Sequence, residues 1–109
     1  MKKKRIYISG PISGRPKSEY RAHFDQAARH LRAQGYRPVN PTRLWGWFQP
    51  LFNCLTYRWK ILFDCIALSH CQGIYLLTGW SRSHGARLEH TIAAWLGLPE
   101  ELENPIHQE

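Results

Sequence analysis

Hydrophobic and polar positions along the chain change period several times, and each change marks an element. RIYIS (residues 5–9) alternates and is rich in strand formers until Gly10-Pro11 interrupts it, which predicts a short strand running into the loop GPISGRP. From residue 18 to 34, Tyr20, Phe24, Ala27, Ala28 and Leu31 recur at helical spacing, and Gly35 falls where a helix C-terminal glycine belongs. Residues 36–40 read as a second strand ended by Pro41. The stretch TRLWGWFQPLFNCLT (42–56), aromatic and broken by Gly46 and Pro50, reads as a long connection or lid. A second helical stripe follows over 57–70, carried by Trp59, Leu62, Phe63, Ile66 and Ala67. GIYLL (73–77) is an apolar run suited to a buried parallel strand, and residues 84–97 predict a third helix with Leu88, Ile92, Trp95 and Leu96 on one face, stopped by Gly97 and Pro99. The remainder, LPEELENPIHQE, predicts no strand.

A β-α-β-α-β-α order calls for a parallel sheet, because each parallel crossover needs a connecting helix. The expected fold is therefore a small three-layer α/β domain, Rossmann-like in the flavodoxin manner, with helices on both faces of the sheet. Ligands of such sheets bind beyond the carboxyl ends of the strands.

Composition narrows this picture. The 109 residues amount to one domain (1–109), and 43% hydrophobic residues suffice for one modest core. Small domains bury a smaller share of their surface, so the five Trp, five Tyr and four Phe are expected in the core or in a subunit contact, and a homodimer is the expected assembly. No run approaches the roughly 20 apolar residues that span a bilayer, and MKKKR leads into IYISG rather than a signal-peptide core. The expectation is a soluble, cytoplasmic chain with no membrane partner. Cys54, Cys65 and Cys71 form no CxxC pair and are expected as reduced thiols, and His70, His84 and His90 lack zinc-ligand spacing, so neither a metal nor another cofactor is expected. The formal charge of +7 attracts anions, but four cations lie in the first five residues and the others are dispersed over amphipathic segments, so nucleic acid is a possible rather than a favoured partner.

Two loops should meet at the carboxyl edge of the sheet, residues 10–15 after the first strand and 78–86 after the third. Both carry glycines and lead into helices, where backbone N–H groups favour an anion. The first is neither a Walker A nor a GxGxxG motif, and a plain structural turn accounts for it at least as well. Ser83 is placed to cap the third helix, with Glu89 six residues on. Taken alone, Glu89 would do no more than complement the helix dipole or face solvent. Asp64, mid-helix among apolar neighbours, either faces solvent or is held at a cleft with a raised pKa.

IYISGPISG, the Asn40-Pro41 pair and above all GWSRSHGARLEHTIAAWLG, with its W-x-x-S-x-G-A-x-x-E pattern, resemble a small phage and bacterial family of uncharacterised domains, DUF4406-like, related to the nucleoside 2-deoxyribosyltransferases and the deoxynucleoside 5'-monophosphate N-glycosidases. The resemblance spans about residues 5–98. It implies an N-glycosidic-bond enzyme acting on a (deoxy)nucleoside 5'-monophosphate or a nucleoside, by hydrolysis or by deoxyribosyl transfer. Glu89 would be the carboxylate nucleophile at the anomeric carbon, Asp64 the proton donor to the departing base or a group orienting the sugar, and Tyr7 a hydrogen-bond donor that holds Glu89. Ser9, Gly10, Ile12, Ser13, Gly14 and Arg15 of the first loop, with Ser83, Gly85 and Ala86 of the second, would bind substrate and its phosphate. Ser83 stands where the free-nucleoside transferases carry an acid, and a serine at a helix N-terminus accepts a 5'-phosphate that an acid would repel, which inclines the expectation towards a nucleotide. Position 72 holds Gln where the relatives commonly place Asp. The alternatives are a nucleotide-binding protein of the same fold without turnover, and a basic accessory protein that binds nucleic acid.

Overall fold

Strand β1 (Arg5–Ser9) lies inside a four-stranded, all-parallel sheet, flanked by β2 (Arg37–Val39) and β3 (Gly73–Leu76), with β4 (Glu100–Leu102) beyond β3. The strand order is β2-β1-β3-β4. The computed structural model describes residues 3–11, 15–42 and 57–103, and of residues 57–61 and 63 it describes the backbone alone. The expected Trp-rich connection, with Trp45, Trp47, Phe48 and Cys54, lies outside the described residues.

Helices cover both faces, as the α/β order requires. Helix α1 (Lys17–Ala33) buries Phe24, Ala27, Ala28 and Leu31 against Ile8, Tyr75 and Leu77 on one face. Its end is set by Gly35, whose φ of +91° an L side chain rarely adopts. On the opposite face, α2 (Tyr57–Ser69) and α3 (His84–Trp95) pack together over Tyr7, Leu68, Cys71, Ile74, Leu76 and Ala93. Alternation along β1 produces this division: Ile8 points to the α1 layer, while Tyr7 and Ser9 point to the α2–α3 layer.

Three expectations are corrected. The C-terminal segment does form a strand: Ile74, Tyr75 and Leu76 pair with Glu100, Glu101 and Leu102. All three β4 residues are exposed, so the strand is made by backbone pairing at a sheet edge and leaves no hydrophobic alternation to read. On α2, Leu62 and Ile66 are exposed, and Asp64 and Leu68 face the sheet instead. On α3, Trp95 is 90% exposed and Leu96 is also exposed, while Ala86, Glu89 and Ala93 form the sheet-facing stripe. The stripe expected on α1 is the face it buries, whereas on α2 and α3 only part of the expected stripe, Ala67 and Ile92, packs against the core.

Cys65 and Cys71 are free thiols, and burial pushes Cys71 up to about 11. No described helix is long and apolar enough to cross a membrane.

Candidate active site

The α3 stripe explains how a carboxylate reaches the middle of the protein. Ser83 caps the helix, its hydroxyl accepting from the Ala86 N–H at 3.3 Å. The small side chains of Ala86 and Ala93, one turn before and after Glu89, let the helix lie close to the sheet. Glu89 is thereby held at 6% exposure, facing β1. A charged group placed there requires partners.

Those partners come from three elements. The Tyr7 hydroxyl donates to Glu89 Oε2 at 2.5 Å, and the Ser9 hydroxyl donates to Oε1 at 2.8 Å. Both donors sit on one face of β1, two residues apart, as strand alternation dictates. From α2, the Asp64 carboxyl, itself buried, lies within hydrogen-bonding reach of Glu89. Tyr7, Ser9, Asp64 and Glu89 thus form one buried polar cluster at the carboxyl half of β1, bridging residues up to 82 apart in sequence.

The electrostatics follow from this arrangement. Burial, then the adjacent Asp64, push the Glu89 carboxyl up to about 8, against the opposing pull of the Tyr7 and Ser9 hydroxyls. Two carboxyl groups this close share a proton more readily than they both ionise. Tyr7 and Ser9 each donate to one Glu89 oxygen and so favour the anion at Glu89. Burial and the two carboxylates hold the Tyr7 phenol well above its ordinary value, so it remains a donor.

The other residues expected at the site are distributed differently. Ser83, Gly85 and Ala86 lie in the cap and first turn of α3, on the helix that carries Glu89. Gly10 is pressed against Leu77: a Cβ there would come within 2.7 Å of Leu77 Cδ1, so its lack of a side chain already has a packing reason. Arg15 is drawn to the α1 layer, donating to the Pro11 carbonyl at 3.2 Å and approaching His23 Nδ1 at 3.4 Å, and is not brought to Glu89. Ile12, Ser13 and Gly14 lie outside the described residues.

Two further polar arrangements lie outside the Glu89 cluster. His23 Nε2 pairs with Glu103 Oε1 at 2.8 Å, and the same carboxylate accepts from the Thr78 N–H at 2.8 Å. Arginine can only donate, so His23 Nδ1 accepts from Arg15 and Nε2 carries the proton. Glu103, held by these donors, sits below its ordinary value. Elsewhere, Asn40 donates to Asp25 at 3.0 Å, and its Oδ1 accepts from the Thr42 N–H and hydroxyl, which fixes the chain leaving β2. The Asn40-Pro41 pair was a visible clue to the second arrangement; nothing near His23 announced Glu103, 80 residues away.

Among the described residues no group of three or more His, Cys, Asp or Glu is placed to hold a metal ion. An open cavity of about 800 Å³ lies on the α1 side between His23, His30, Tyr75 and Glu103, and a second of about 680 Å³ lies at the amino edge of the sheet; Glu89 lines neither.

No curated protein matches the chain. A family model described as a domain of unknown function, DUF4406, matches residues 4–100, nearly the whole length that carries the sheet, its helices and the Glu89 cluster, and the chain belongs to that family.

Proposed function

We propose that this protein is an N-glycosidic-bond enzyme that acts on a (deoxy)nucleoside 5'-monophosphate, or on the nucleoside, through Glu89. The observation that carries the reading is the cluster itself: one buried carboxylate gripped on both oxygens by hydroxyls, with a second carboxyl beside it, at the edge of a parallel sheet where ligands bind.

In the proposed reaction a Glu89 oxygen forms a bond to the anomeric carbon as the bond from that carbon to the base nitrogen breaks, and Asp64 delivers its proton to the departing base. The product is a glycosyl ester on Glu89. Water then attacks the same carbon, giving its proton to the Asp64 carboxylate, and the ester bond breaks to return the Glu89 carboxylate. An acceptor base in place of water gives deoxyribosyl transfer. Tyr7 and Ser9 hold Glu89 in line and stabilise its charge when it leaves. Ser83 and the first N–H groups of α3 form the end of the site suited to a 5'-phosphate.

A second reading, a nucleotide-binding protein without turnover, is favoured by one observation: a Glu89 carboxyl pushed up to about 8 is protonated at neutral pH, a donor rather than a nucleophile, unless a ligand's developing positive charge lowers it. Under either reading we take the chain to be a cytoplasmic homodimer. The exposed Leu62, Ile66, Trp95 and Leu96 side chains support a subunit contact.

Base release from a panel of nucleosides and their 5'-monophosphates, followed by chromatography with and without an acceptor base, tests the proposal. Release that falls by about a hundredfold or more in Asp64→Asn and disappears in Glu89→Gln supports the enzyme. Saturable nucleotide binding with no release from any substrate supports the second reading.

A further inference from the structure

The fold gathers three cations of the N-terminal run with two from farther along the chain. Lys3, Lys4 and Arg5 enter β1, Arg37 opens β2, and Arg32 lies in the last turn of α1; together with Tyr36 and Gln72 they line an open cleft of about 680 Å³. This cleft is at the amino edge of the sheet, opposite the edge that holds Ser9 and the Glu89 cluster, separated from it by the length of β1, roughly 13 Å or more. Among the described residues no carboxylate lines it and none of the five cations forms a salt bridge.

The cleft is also built on fixed backbone. The Arg37 N–H donates to the Lys4 carbonyl at 2.9 Å, the Gln72 N–H donates to the Arg5 carbonyl at 2.8 Å, and the Arg5 N–H donates to Gln72 Oε1 at 2.7 Å. With its oxygen so engaged, Gln72 presents its amide –NH2 as a further donor. Tyr36 is half-buried, packed on the α1-side core and lining the cleft. Solvated basic faces are usually convex and interleaved with acids. Five cations that meet no carboxylate among the described residues, around a concave floor with an aromatic ring in it, are a different arrangement, and they match the pairing of a charged groove with a stacking ring by which proteins hold unpaired nucleic-acid strands.

We propose that this amino-edge cleft binds the phosphate backbone of a single-stranded nucleic acid, with Tyr36 stacking on a base. A membrane surface fits less well, because the cleft is concave and, among the described residues, no large exposed apolar side chain rims it for insertion. The proposal is independent of the chemistry at Glu89.

Fluorescence anisotropy with a short labelled DNA strand, titrated with salt, tests it. Each neutralised phosphate contributes roughly −0.7 to the slope of log affinity against log salt for a single strand, so five cations give about −3.5 and roughly a hundredfold loss between about 50 and 200 mM salt. The combined substitution Lys3→Glu, Lys4→Glu and Arg37→Glu should abolish binding, and neutralisation by Lys3→Gln and Lys4→Gln should flatten the slope; each change is at an exposed side chain, and circular dichroism checks the fold. Tyr36→Ala should weaken the single strand by roughly fivefold or more while leaving a duplex of the same sequence unaffected. Glu89→Gln should bind as the parent does. The proposal fails if no strand binds at low salt, if the charge-reversed protein retains affinity and slope, if inorganic tripolyphosphate displaces the strand at equal phosphate concentration, or if phosphatidylserine vesicles outcompete it.

Discussion

Tyr7 and Glu89 share a hydrogen bond of 2.5 Å across 82 residues of sequence, and that bond joins the first strand to the last helix inside the layer where α2 also contributes Asp64. Removing the phenolic hydroxyl leaves Glu89 Oε2 without its donor in a buried site. Tyr7→Phe, which keeps the ring and its packing, should therefore raise the Glu89 pKa further and cost about 1–3 kcal/mol of stability at a pH where Glu89 is ionised. Carbon-detected NMR of the labelled Glu side chains reads the first effect and urea denaturation the second. An unchanged Glu89 titration would mean that the bond does not hold the carboxylate.

The raised Glu89 pKa fixes the sign of a pH effect. A carboxyl at about 8 in the folded chain and near 4.5 when unfolded binds more protons folded than unfolded across that window. Its contribution is fully favourable below the unfolded value and is lost as pH rises through the folded value, at a rate of up to about 1.4 kcal/mol per pH unit. The stability difference between parent and Glu89→Gln, measured by denaturation over pH 5 to about 9, should shift steadily in favour of the variant. A flat difference would place the Glu89 pKa near its ordinary value.

Glu103 has the opposite sign. Its carboxyl lies below its ordinary value because Thr78 and His23 donate to it, so its contribution is present above the unfolded value and lost as pH falls through the folded one. Glu103→Gln should cost about 1 kcal/mol near neutral pH and open the β3–β4 edge. Hydrogen exchange at the Glu103 amide, which donates to the Leu76 carbonyl at 2.8 Å, should quicken while exchange in β1 stays protected.

Gly10→Ala tests the packing reason for the first glycine of the loop. The added methyl would come within 3.0 Å of three Leu77 side-chain carbons, in a core where Leu77 is fully buried. Overpacking of this kind should destabilise by about 1–3 kcal/mol, visible as a lower Tm. A Tm equal to that of the parent would show that Leu77 relaxes freely and would return Gly10 to a purely functional role.

Much of this architecture was legible in one sequence. Alternation in RIYIS, helical recurrence from Tyr20 to Leu31 and the compact GIYLL run are local consequences of backbone periodicity and solvent exposure, and the elements lie where that periodicity puts them. The positions of Gly35 and Gly97 follow likewise from a backbone conformation that glycine alone adopts at little cost. The alternating order of strands and helices was enough for the parallel three-layer class. What escaped was whatever depends on which surface meets which. Strand β4 exists because β3 offers an unpaired edge, so its own side chains carry no sign of it. Leu62, Ile66, Trp95 and Leu96 look outward, while Asp64 and Glu89 look inward, where two hydroxyls on β1 donate to the Glu89 carboxylate. The same holds for the cations: Lys3 is far in sequence from Arg32 and Arg37, and they become one cleft only when β1, α1 and β2 align their ends. Local periodicity is set by each residue and its near neighbours, and the sequence alone determines it; the electrostatic environment of Glu89 and of the basic cleft is a sum over residues that only the tertiary fold brings within a few ångströms of one another.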